Sequence, residues 1–246
     1  MSSVKPESTA RTLVFAGAVA LGCALIISAT VYWLRPLQVA AGASSYMHAV
    51  INAAALVAAG QTLDEREILA RFQQFDVRIL DLETGTFTRE VNPSRFDYRE
   101  QFEAGQRSQP RFMPVYLLRD GQEIHCAVLP FYAQGMWSAI HGFVALSEDL
   151  TTIRGVAIYE HGETPGIGDR IQAPEWLRQW QGKRIYGSNG EYLFRISARP
   201  DDAAARYTVD AITGATVTVS AVDQAMARWF GDEGYAPLLA ELRRAP

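Results

Sequence analysis

Asp210-Ala211-Ile212-Thr213-Gly214-Ala215-Thr216-Val217-Thr218 follows a strand-like run ending in Arg206-Tyr207-Thr208-Val209. It leads into a segment where Val219, Val222, Met226, Trp229 and Phe230 recur at helical spacing. The spacing predicts a tight turn that opens a helix. A Gly-Ala pair leaves the backbone of that turn uncovered by bulky side chains. A helix start also aims unpaired N–H groups, with their partial positive charge, at whatever lies in front of them. Such a corner suits a phosphate. Thr213, Thr216 and Thr218 add three hydroxyls, each able to donate, to accept or to serve as an attachment point. The competing reading makes Thr213 or Thr216 an ordinary helix N-cap.

Upstream of that corner, Tyr159-Glu160-His161-Gly162-Glu163-Thr164-Pro165-Gly166-Ile167-Gly168 reads as a loop whose glycines allow unusual backbone angles and the close approach of a flat ligand. The competing reading makes it a simple strand-to-helix connection. Glu163 reads as a hydrogen-bond acceptor or as a solvated loop acid, and His161 as an ordinary surface residue. No second His, Cys or carboxylate stands at ligand spacing, so no metal site is expected. Cys23 lies in an apolar run and Cys126 in a strand-like one, so no pairing between them is expected.

The remaining pattern is α+β. Val77 to Leu82 alternates as a strand, followed by a turn at Glu83-Thr84-Gly85-Thr86. Val115 to Leu118 and Ile124 to Pro130 form a hairpin about Asp120-Gly121, and Ser138 to Leu146 and Ile153 to Tyr159 add further strands. Helices flank this block: Leu63 to Phe75, opened by a capping box of Thr62 and Glu65, and Pro174 to Trp180 with proline in its first turn. Trp176 and Trp180, one helical turn apart, read as core or docking residues rather than ligand stackers. The expected soluble domain is thus an antiparallel-rich sheet flanked by helices. Arg89 to Gln109 reads as a charged surface excursion.

The 246 residues are 48% hydrophobic, enough for a packed core, and the net charge of −4 excludes nucleic acid as the natural partner. Thr12 to Leu34 carries no charge and, at ~1.5 Å per residue, spans roughly 35 Å, enough for a hydrocarbon core of ~30 Å. A signal peptide cleaved near Ala41-Gly42-Ala43 is the competing reading. The run exceeds the ~7–15 residues of a signal core and ends in the interfacial anchor Tyr32-Trp33-Leu34-Arg35, which favours a membrane-spanning helix. Lys5 and Arg11 precede the span, which places residues 1–11 in the cytoplasm, 12–34 in the membrane, 35–60 in a stalk helix and 61–246 outside as the soluble domain.

The nonapeptide resembles the flavin-attachment signature Asp-x-x-(Ser/Thr)-Gly-Ala-Thr. Thr216 takes the place of the threonine esterified to the FMN phosphate, and Asp210, Thr213, Gly214 and Ala215 fill the other fixed positions. Ala211 stands where Gly is common. Further matches are Leu129-Pro130, Gly135-Met136-Trp137-Ser138, the Tyr159–Gly168 loop, Pro174-Glu175-Trp176, Trp229 to Tyr235 and Pro237-Leu238-Leu239. With these the chain resembles, nearly end to end, the C-subunit family of sodium-translocating NADH:quinone oxidoreductases. The G subunit of Rnf electron-transport complexes is a more distant likeness. Arg89 to Gln109 is where the likeness is least and shorter than usual.

The resemblance implies a single-pass protein of the bacterial inner membrane whose periplasmic domain carries covalent FMN on Thr216, installed by a flavin transferase. It also implies a complex of six subunits moving electrons from NADH to ubiquinone while exporting sodium. This chain would relay electrons between an intramembrane iron–sulfur centre and another subunit's flavin, with no complete catalytic site of its own. Trp137, Thr164 and Ile167 are the implied ring contacts, Thr213 and Thr218 lie near the phosphate, and Glu163 is counted with the cofactor residues. The alternatives are an Rnf-type subunit and a membrane-anchored scaffold domain without cofactor.

Overall fold

Alternation of side chains along strands sorts one run of apolar residues onto two faces of a sheet, and here both faces are used. In the computed structural model, which describes residues 9–57, 61–99, 101, 110–198 and 202–244, six strands form one antiparallel sheet in the order β2-β1-β3-β4-β5-β6. They are β1 (Phe75–Asp81), β2 (Thr86–Thr88), β3 (Phe112–Asp120), β4 (Glu123–Gln134), β5 (Ala139–Leu146) and β6 (Ile153–Glu160). The expected hairpin is the β3–β4 pair, longer at both ends than its apolar centre, and it turns at Gly121 with φ +59°. Among the described residues a small parallel pair, β7 (Arg195–Ser197) with β8 (Thr208–Asp210), completes the strands.

Among the described residues the α-helices are α1 (Thr9–Ala53), α2 (Glu65–Phe72), α3 (Pro174–Arg178), α4 (Thr216–Trp229) and α5 (Ala236–Arg244). On one sheet face Val115, Leu117, Leu129, Val144 and Leu146 pack with Val222, Met226 and Trp229 of α4 and with Leu238 and Leu239 of α5. On the other, Tyr116, Cys126, Val128, Phe143 and Ala145 pack with Val50 and Ile51 of α1 and Ile68 of α2. Sheet residues buried on both sides explain why these strands read as continuous apolar runs rather than clean alternation.

The chain divides into two compact units, Met1–Ser44 and Ser45–Pro246. In the first, Ala10–Arg35 has a mean hydropathy of 2.3 and exposes Leu13, Phe15, Leu25, Ile26 and Trp33, a helix long and apolar enough to cross a membrane. In the second, the last turns of α1 belong to the core: Ala49, Val50, Ile51, Ala53 and Ala54 are buried. The segment read as a stalk through residue 60 thus contributes its later residues to the domain itself.

The helix expected over 63–75 is shorter and capped differently. Asp64, not Thr62, is the N-cap: its carboxylate accepts from Glu67 N at 2.8 Å, and Glu67 Oε2 accepts from Asp64 N at 2.9 Å. The same motif shifted two residues wins because both halves of the box close there, and Phe75 then opens β1. The charged stretch from Arg89 holds a 3-10 turn at Pro93–Arg95, capped by Asn92. Its part at 100 and 102–109 lies outside the described residues. Cys23 and Cys126 are both free thiols.

Candidate functional site

The Asp210–Thr218 turn is fixed from behind by backbone bonds. Asp210 N donates to Gln179 Oε1 at 3.1 Å, Asp210 O accepts from the Trp176 indole at 2.7 Å, and Ala211 N donates to Ser197 O at 3.0 Å. Trp176 and Trp180 are buried, with ring centroids 5.3 Å apart, so of the two readings, core or docking, the fold makes them core residues. Gly214 takes φ +87°, a left-handed angle that glycine adopts without strain, and Ala215 N closes the turn on Ile212 O at 3.2 Å. α4 then begins at Thr216. Its N-cap is the buried Ala215, and no side chain caps it. Neither Thr213 nor Thr216 is a helix cap; both are exposed, and Thr216 stands at the helix's first position.

The glycine loop approaches this corner through one carboxylate. Glu163 is 4% exposed; its Oε1 accepts from Trp137 N at 3.0 Å and Ser138 N at 3.4 Å, and its Oε2 accepts from Met136 N at 3.2 Å and from the Thr218 hydroxyl. Burial alone would raise its pKa, but the bonds from Thr218 and the three amides outweigh that and hold it below the ordinary carboxylate value. Close approach explains the glycines. A Cβ on Gly135 would lie 2.5 Å from Glu163 Oε1, and one on Gly168 would lie 2.8 Å from Glu163 Cβ. Gly162 N donates to Ser138 Oγ, Glu163 N donates to His161 Nδ1 at 3.2 Å, and Thr164 O accepts from Gly168 N at 3.0 Å and Ile167 N at 3.2 Å. His161 thus accepts from the loop's own backbone.

Around these segments Trp137 (67%), Ile167 (50%) and Val217 (55%) are unusually exposed for their size. A groove of about 410 Å³ starts at Thr216 and follows α4 past Val217, Ser220, Gln224 and Arg228, facing Tyr132 and Gln134. The structure thus joins the turn bearing Trp137, the loop bearing Glu163, Thr164 and Ile167, and the helix start bearing Thr216 and Thr218. Asp210 is held through its backbone, and Thr213 and Gly214 lie exposed on the same turn. Sequence reasoning missed the amides of Met136 and Ser138, since a backbone donor has no signature. The glycines at 135 and 168 were the available hint.

An uncapped helix start with an exposed threonine, a loop stripped of side chains at its close contacts and an exposed indole together fit a flat ligand with a phosphate tail. The comparisons agree on that class: residues 135–231 match the family described as FMN-binding domain. The whole chain is 30% identical to the C subunit of the Na(+)-translocating NADH-quinone reductase of Pseudomonas aeruginosa, over 97% of both chains. It is also 30% identical to that of Vibrio alginolyticus, over 96% of both. The crystal structure of Shewanella oneidensis NqrC superposes with a TM-score of 0.70 at 32% identity, covering 81% of this chain and 97% of that one. The corresponding structure from Parabacteroides distasonis, at 19% identity and TM-score 0.67, shares the fold. The chain belongs to the C-subunit family of Na(+)-translocating NADH-quinone reductases.

Proposed function

We propose that this chain is a covalent-FMN electron carrier: Thr216 is esterified to the FMN phosphate by a flavin transferase, and the domain relays electrons between an intramembrane iron–sulfur centre and a second flavin in a neighbouring subunit. The complex, of six subunits, couples NADH oxidation and ubiquinone reduction to sodium export. In this reading residues 12–34 cross the inner membrane and the second unit lies in the periplasm, where a tether prevents loss of a cofactor with no local supply.

The observation that carries the reading is the state of Thr216, exposed at the first position of a helix that no side chain caps. Its hydroxyl is free of a capping role, and a helix start leaves its first N–H groups without intrahelical partners, a setting that suits a phosphate. FMN, when bound, supplies one- and two-electron chemistry. The chain's own part is to hold and orient it: Gly214 and Ala215 keep the backbone open, Thr213 lies beside the phosphate, and Trp137, Thr164 and Ile167 flank the ring.

The attachment is tested by mass. The tryptic peptide spanning Thr216, taken from native membranes, is expected to carry FMN less one water, and Thr216→Ala is expected to lose that mass while keeping the wild-type melting profile. An unmodified wild-type peptide from a transferase-competent host would leave only an anchored scaffold. Co-purification with NADH-oxidising, quinone-reducing subunits separates this reading from an Rnf-type complex.

A further inference from the structure

We propose that Glu163 is the positioning residue of the flavin site, a buried carboxylate that clasps three separate backbone segments into one frame and sets a fixed negative charge against the first turn of α4. This rests on the assignment of Thr216 as the attachment point.

A carboxylate offers about four lone-pair directions, and here four donors take them: the amides of Met136, Trp137 and Ser138 and the Thr218 hydroxyl. With its acceptor capacity met by the protein and 4% of its surface exposed, Glu163 acts on a ligand through what it holds rather than by contact. It holds the exposed Trp137 by that residue's own backbone. It holds the helix through Thr218, two residues beyond Thr216 in sequence. Burying a carboxylate is costly unless every oxygen is matched, and the chain removes side chains to allow it. Gly135 and Gly168 have no room for a Cβ beside Glu163, and a Cβ on Gly162 would lie 3.0 Å from Ser138 Oγ.

The charge has its own consequence. The partly positive start of α4 favours an anion there, and a buried negative charge near a redox group disfavours its more negative, reduced form, since shielding by solvent is weak. Glu163 thus lowers the potential of a flavin tethered at Thr216. A residue that only stabilised the fold would leave that potential unchanged.

The test uses the full chain produced with its flavin transferase, with the Thr216 peptide weighed first. Glu163→Gln keeps the size and the carbonyl that accepts from Trp137 and Ser138; Thr218 can turn to accept from the new amide, and the Met136 amide alone loses its acceptor. This variant is expected to keep its FMN and shift the flavin midpoint potential upward. Glu163→Ala removes the clasp and is expected to speed hydrogen exchange at the Met136, Trp137 and Ser138 amides by about tenfold or more. Should that variant fail to fold, Thr218→Val is expected to speed the same amides, and Thr218→Ser to restore them. An FMN-loaded Glu163→Gln protein with the wild-type potential overturns the proposal, as does unchanged exchange in Glu163→Ala or in Thr218→Val. A wild-type chain without FMN on Thr216 overturns the attachment reading instead, and the exchange measurement on that chain still decides whether the clasp exists.

Discussion

Thr216 and Glu163 lie in one corner of the domain with opposite relations to water: the hydroxyl is exposed and uncapping, the carboxylate buried and fully bonded. Because the folded pKa of Glu163 lies below its unfolded value of about 4.5, its contribution to stability is complete above that value. It is lost as pH falls from there through the lower folded value. Asp81, Asp97 and Asp149 are shifted in the same direction and give a shared acid limb. Glu163→Gln is therefore expected to lose less stability than wild type as pH falls from about 5 to 3, measured as denaturant midpoints across that range; superimposable pH profiles would contradict it. The sequence made Thr216 readable because turn, glycine and helix onset are all local. It left Glu163 ambiguous between acceptor and solvated acid, because three of its donors are backbone amides of a turn that lies before β5 in sequence. The fourth is on a helix that only the fold brings near.

Elements were legible where periodicity was strong and blurred where two local signals competed. The β3 to β6 strands announce themselves by apolar runs, yet α2 starts at the Asp64–Glu67 box rather than the overlapping Thr62–Glu65 pattern. Most hidden was the packing of the end of α1, since Ala49, Ala53 and Ala54 carry almost no amphipathic signal. Their smallness is what the contact requires: β6 passes so close that a methyl on Gly155 would overlap the Ala53 carbonyl oxygen. Gly155→Ala is therefore expected to force the helix end and strand apart and cost ~1–3 kcal/mol, the usual range for overpacking a core. Urea unfolding followed by circular dichroism would register this as a lower midpoint at unchanged slope, and a wild-type midpoint would show that the contact yields without strain.

For the molecule as a whole, these contacts decide where the independently folding domain begins. The second unit starts at Ser45, and Tyr46 lies 5.1 Å from the Phe143 ring and 5.8 Å from the Tyr159 ring, both edge-on. Val50 and Ile51 are fully buried over the same sheet face. Fully burying such a side chain is worth ~1.5–3 kcal/mol each, before the aromatic contacts are counted. A chain beginning at Ser45 is thus expected to fold cooperatively without detergent. One beginning at Gln61, the boundary suggested by composition, is expected to be at least ~3 kcal/mol less stable and to expose the sheet face that holds Tyr116 and Phe143. Comparing the two truncations by chemical denaturation and by binding of a hydrophobic dye tests this directly. Equal midpoints and equal dye binding would mean that residues 45–60 are a stalk after all, and that the sheet is complete without them.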